Sequence, residues 1–131
     1  MDPRSEACLS LVEPDLCKII RGAAQSPQPF EVTYGARTLA AEAQAVASGH
    51  SQTMHSRHLL DKAGYAAAVD VTPLIGGALS FAPGDEERVY GQLAAQIKAS
   101  AEAHGVTIEW GGDWRTFKDW GHFQLPWATH P

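Results

Sequence analysis

A chain of 131 residues with 44% apolar and 19% charged residues carries enough apolar material for one compact domain, which excludes disorder as its main state. Its 15 acidic against 10 basic residues leave a formal charge of -5, and no basic run occurs, which argues against nucleic acid as a partner. The N-terminal residues join no basic stretch to a long apolar run, so neither a secretory leader nor a membrane anchor is expected.

Leu9, Val12, Leu16, Ile19 and Ile20 recur at spacings of three and four, which predicts an N-terminal helix, in one piece or two, with Pro14 able to open a first turn. Cys8 and Cys17 fall in this segment, far in sequence from other ligand-type residues, and are expected as free thiols rather than a disulfide. Residues 22–29 have loop composition, and 30–34 alternate as a short strand ended by Gly35. An alanine-rich helix is predicted over 38–47, with Thr38 as N-cap, so that Arg37 stands at a strand-to-helix junction. Residues 49–65, with His50, His55 and His58, read as an irregular loop.

Residues 66–71 predict a small-residue strand with Ala66, Ala68 and Asp70 on one face and Ala67, Val69 and Val71 on the other. Thr72-Pro73 should break it, and 74–85 read as an excursion. Val89, Leu93 and Ile97 mark an amphipathic helix over 86–104, acidic at its start and ended by Gly105. A strand is expected over 106–110 and a last one over 122–125.

Between those two strands lies the densest concentration of unusual residues. Residues 109–123 hold three of the four tryptophans and the pattern Asp119-x-x-His122. A hydrolytic zinc site needs three ligands from His, Asp or Glu, an open position for water, and a carboxylate to take that water's proton. His58, Asp70 and His122, with Asp119, supply such parts. The same residues also suit a loop histidine, a strand-end cap, and a turn-forming acid before a half-buried imidazole. Neither His-Glu-x-x-His nor paired Cys-x-x-Cys is present to decide between these readings.

A family resemblance adds specificity. Ser56-Arg57-His58, followed by Gly64, Ala68, Val69, Asp70 and Val71, resembles the Ser-x-His-x-x-Gly-x-Ala-x-Asp signature of the LAS-type zinc peptidases, which act as D-alanyl-D-alanine peptidases or L-alanyl-D-glutamate endopeptidases. Trp110-Gly111-Gly112-Asp113-Trp114 and Asp119-Trp120-Gly121-His122-Phe123 are similar to the C-terminal motif of the family's phage endolysin branch, and Arg37-Thr38 resembles its upstream Arg-Thr. The pieces occur in the family's order over nearly the whole chain. One departure stands out: Asp70 follows His58 by twelve residues where the family has seven, an insertion of five within 59–65. A surface insertion of that length costs little closure entropy. His55 is a reserve for the first ligand.

The resemblance implies that His58, Asp70 and His122 bind Zn2+, that Asp119 is the catalytic base, that Arg37 holds substrate or steadies the oxyanion, and that Ser56 supports the site. It implies an α+β fold in which an antiparallel sheet carries the zinc site with helices packed against it. The expected protein is a monomer with a single catalytic domain over residues 1–131 and no separate cell-wall-binding domain. Its expected activity is that of an L-alanyl-D-glutamate endopeptidase endolysin cleaving the peptidoglycan stem peptide. It would accumulate in the host bacterial cytoplasm and reach the wall after another protein opens the membrane. The alternatives are a D-alanyl-D-alanine carboxypeptidase or dipeptidase of the same family, and a non-catalytic zinc-stabilised binding module.

Overall fold

The computed structural model describes residues 1–25, 27–36, 57–60, 64–74, 84–115, 118–126 and 129–130. The predicted helix over 38–47, together with Arg37, Thr38, His50, His55, Ser56 and Trp127, lies outside these residues.

The N-terminal pattern resolves into two helices. Helix α1 (Pro3–Cys8) starts from Asp2, whose carboxylate accepts from the Ser5 amide at 2.9 Å, with Pro3 in the first turn, where its missing N–H costs nothing. Buried Ser5 then ties the helix to the sheet, its hydroxyl accepting from the Val32 amide at 3.0 Å. Leu11 adopts a left-handed φ of 63°, which breaks the helical run. Helix α2 (Pro14–Ala23) opens on Pro14 as predicted and buries Leu16, Cys17, Ile19, Ile20 and Ala23 along one stripe. Both cysteines are free; Cys17 is buried, with its thiol directed at the carbonyls of Val12 and Leu9, whereas Cys8 is only half-buried.

Four strands form one sheet in the order β1-β2-β4-β3, antiparallel at every pairing: β1 (Phe30–Tyr34), β2 (Ala68–Pro73), β3 (Glu109–Trp110) and β4 (His122–Gln124). Helix α3 (Glu86–Ala103) turns Val89, Leu93, Ala94, Ile97 and Ala101 inward. It ends in a Schellman arrangement, with Gly105 (φ 68°) donating to the Glu102 carbonyl and Val106 to that of Ala101. Helices α2 and α3 are stitched together by Ser100, which donates to the Ile19 carbonyl at 2.7 Å, and by Gln96, which donates to that of Ala23 at 2.8 Å. The core lies between these helices and one face of the sheet, filled by Leu16, Ile19, Ile20, Val32, Val69, Val71, Leu93, Ile97, Phe123 and Leu125.

Four strand boundaries differ from expectation. Strand β2 starts at Ala68 rather than Ala66, whose backbone is taken up by isolated bridges to Val12 and Leu60. Thr72 and Pro73 extend β2 instead of breaking it: Pro73 sits at the strand's last position opposite Phe30, where no further amide is needed from it, and Leu74 donates to the Pro29 carbonyl at 2.9 Å. The strand expected over 106–110 shrinks to two residues because Val106 is taken up by the cap of α3. The last strand stops at Gln124, and Leu125 bonds to the Ala67 carbonyl instead.

Candidate metal centre

The site grows from the face of the sheet opposite the core. Alternation along β2 sends Val69 and Val71 into the core and leaves Asp70 and Thr72 half-buried on the other face. On β4 the same alternation buries Phe123 in the core and puts His122 and Gln124 on the Asp70 face, with Asp70 and His122 directly paired across the strands. A register shift between Val32 and Tyr34 on β1 brings Tyr34 opposite Asp70, with its ring edge-on to His58 at 5.3 Å.

His58 enters from outside the sheet, on a turn held by its neighbour. The Arg57 carbonyl accepts from Ala67 at 3.0 Å, and its buried guanidinium donates to the carbonyls of Leu125 at 3.0 Å and His130. Between His58 and Asp70, Leu60 and Ala66 pair in an antiparallel bridge. The side chains of His58 and Asp70 still meet across the wider spacing.

Three ligand-type atoms converge. His58 Nε2 lies 3.3 Å and His122 Nδ1 3.2 Å from Asp70 Oδ1, and the two imidazole rings meet edge to face with centroids 5.1 Å apart. The remaining ring nitrogens are occupied: His58 Nδ1 lies 2.7 Å from the Gly35 carbonyl and His122 Nε2 2.7 Å from Gln124 Oε1. Both partners are acceptors, so those nitrogens carry the hydrogens. In the neutral rings, His58 Nε2 and His122 Nδ1 therefore present lone pairs to a carboxylate. Such an arrangement needs positive charge at its centre, from added protons or from a metal ion. The two separations, 3.2 and 3.3 Å, lie at the short end of the edge of a tetrahedron with ligand bonds of about 2.0–2.2 Å, which is about 3.3–3.6 Å. The donor set thus fits a small divalent cation with one open position.

The two carboxylates differ in electrostatics. In the metal-free protein with protonated imidazoles, burial would raise the pKa of Asp70, but hydrogen bonds donated by His122 and then His58 outweigh it and hold the group well below the usual carboxylate range. Asp119 is shifted the other way, first by burial and then by the charge of Asp70. Burial also works against a charged His122, but its bonds to Asp70 and Gln124 raise its pKa overall.

Asp119 stands beside the cluster, with Oδ2 4.0 Å from His122 Nδ1. Its backbone lies against Gly111, where a Cβ would come within 2.3 Å of the Asp119 carbonyl. Around it, Trp110 Nε1 donates to the Trp120 carbonyl at 2.7 Å, Lys118 to that of Gly112 at 2.9 Å, and the Trp114 ring lies 5.2 Å from that of His122. Trp110 stacks on Phe123 and Trp114 flanks the site, so the tryptophans divide between core and site.

The expected ligands His58, Asp70 and His122 thus come together, Asp119 adjoins them, and Arg37 lies outside the described residues. Arg57, Gly35 and Gln124 support the site without being among its predicted residues. Only Gln124 left a sequence signal, its two-residue offset from His122 on a strand. Among the described residues a second His–carboxylate group, Glu13, Asp15 and His130, joins α2 to the C-terminal segment through a 3.2 Å contact between His130 and Asp15.

The model of the phage L-alanyl-D-glutamate peptidase family matches residues 1–123. An L-alanyl-D-glutamate peptidase of Escherichia phage T5 is 32% identical over 130 residues, covering 96% of this chain and 88% of the relative. The solved structure of the Serratia marcescens L-Ala D-Glu endopeptidase ChiX superposes with a TM-score of 0.85 at 38% identity, covering 100% of this chain and 92% of that one.

Proposed function

This chain belongs to the phage L-alanyl-D-glutamate peptidase family, and from that membership we propose that it is a zinc-dependent endopeptidase cleaving the L-alanyl-D-glutamate bond of the peptidoglycan stem. The observation that carries the metal reading is the convergence of three lone pairs from His58 Nε2, Asp70 Oδ1 and His122 Nδ1. Those residues would hold the ion. When bound, zinc supplies Lewis acidity to a water molecule and to the scissile carbonyl.

Asp119 does the proton work. Its raised pKa suits a carboxylate that takes a proton from the attacking water and returns it to the leaving amine of D-glutamate. Its backbone contact with Gly111 keeps the carboxylate beside the ligand cluster. Arg37 is proposed to offset negative charge on substrate or oxyanion, in keeping with its resemblance to the family's arginine. A purely structural zinc site would have no use for a half-buried carboxylate at Asp119. The protein is proposed to accumulate in the bacterial cytoplasm and to meet the wall once the membrane is opened; no helix of the described residues is long and apolar enough to cross one.

Product masses from digested peptidoglycan, read with the metal content of the purified protein, test this. Stem peptides with a new N-terminal glutamate, produced by a zinc-loaded protein and not after chelation, are expected. Release of terminal D-alanine with the L-alanyl-D-glutamate bond intact would reject the bond assignment.

A further inference from the structure

We propose that Gln124 is a positioning residue that selects the tautomer of His122, and thereby decides which imidazole nitrogen is offered to the metal. The inference rests on the metal reading above.

Gln124 and His122 lie two residues apart on β4 and share its site face. Both are buried, at 7% and 6% exposure, and β4 is flanked on both sides, by Ala68 of β2 and Glu109 of β3 at the Gln124 position. A polar amide is disfavoured in such a place unless its hydrogen bonding is used. Here Gln124 Oε1 lies 2.7 Å from His122 Nε2. In this orientation of the amide Oε1 accepts, which in the neutral ring places the hydrogen on Nε2 and the lone pair on Nδ1, towards Asp70 Oδ1 at 3.2 Å. With the amide reversed, its NH2 would donate to Nε2 and drive the hydrogen onto Nδ1. The ring would then present a donor where a ligand is required.

His58 solves the same problem with the main chain. The Gly35 carbonyl holds the hydrogen on Nδ1 and leaves Nε2 for the site. One histidine ligand is therefore oriented by backbone, which side-chain substitution does not remove, and the other by a single replaceable side chain.

The test combines zinc affinity, from competition with a chromophoric chelator, with long-range 15N–1H spectra of the zinc-loaded protein. Wild type should show His122 protonated at Nε2 and metal-bound at Nδ1. Gln124→Met, which keeps length and loses the acceptor, should bind zinc about 10–100-fold more weakly. Gln124→Glu, which retains an acceptor oxygen, should recover most of that loss. Ligation of wild-type His122 through Nε2, or wild-type affinity and Nδ1 ligation in Gln124→Met, would overturn the role of Gln124 and leave the metal site standing. Failure of wild type to take up zinc would overturn the reading beneath it. The wild-type spectrum and Gln124→Glu keep the proposal open to refutation even if Gln124→Met folds poorly.

Discussion

The two faces of the β2–β4 ribbon follow opposite rules. On one, Val69, Val71 and Phe123 are apolar, fully buried and interchangeable in kind with any core residue of similar volume. On the other, Asp70, His122 and Gln124 are polar groups whose value lies in atoms placed within a few tenths of an ångström. The first face gives stability and tolerates apolar substitutions of similar volume; the second costs stability and tolerates almost no substitution. Because neighbouring residues of one strand serve both faces, a substitution at either tests whether the two jobs are separable.

The largest effect is expected at Asp70, the group shared by both histidines. Asp70→Ala should abolish metal retention and hydrolysis together, read as metal content and release of stem peptides. Asp119→Ala should leave zinc bound and lower kcat about 10²–10⁴-fold, the range for loss of a general base; loss of zinc in that variant would make Asp119 a ligand instead. On the core face, Phe123→Ala should cost about 3–5 kcal/mol of unfolding free energy in a denaturant titration. Its zinc affinity, measured where the protein is still folded, should fall less than that of Gln124→Met if the faces are separable. Equal losses would show that core packing positions His122.

A smaller effect separates the two carboxylates through pH. In the metal-free protein, the lowered pKa of Asp70 contributes stability present above the ordinary carboxylate pKa and lost as pH falls toward its folded value. The raised pKa of Asp119 has the opposite sign: its contribution is present in acid and lost as pH rises through the folded value. Asp119→Asn should therefore raise the apo-protein Tm slightly at neutral pH and not in acid, whereas Asp70→Asn should lower it at neutral pH. A Tm unchanged by Asp119→Asn at neutral pH would remove the burial cost inferred for that group.

How far the sequence reveals these faces depends on the range of the interactions. Val89, Leu93 and Ile97 announce α3 through spacing alone, and Gly105 marks its end, because helix formation and capping are local. The alternation around Asp70 likewise exposes an acid on an otherwise apolar strand. Pro73 misleads, since whether a proline ends a strand depends on the partner strand, and no local pattern shows that Phe30 lies opposite. The carbonyl of Gly35 and the guanidinium of Arg57 are unreadable for the same reason. Gly35 must be glycine because a Cβ would come within 1.8 Å of the Cys8 carbonyl, a contact between segments far apart in sequence. Spacing between His58 and Asp70 suggests a distortion, yet the two side chains meet at 3.3 Å.

The ligand assignment is open to a direct test by anomalous diffraction at the zinc edge from crystals of the zinc-loaded protein. It requires a peak about 2.0–2.2 Å from each of His58 Nε2, Asp70 Oδ1 and His122 Nδ1, with Asp119 outside the ligand shell. A peak bound instead at Glu13, Asp15 and His130, with none at the sheet face, would contradict it.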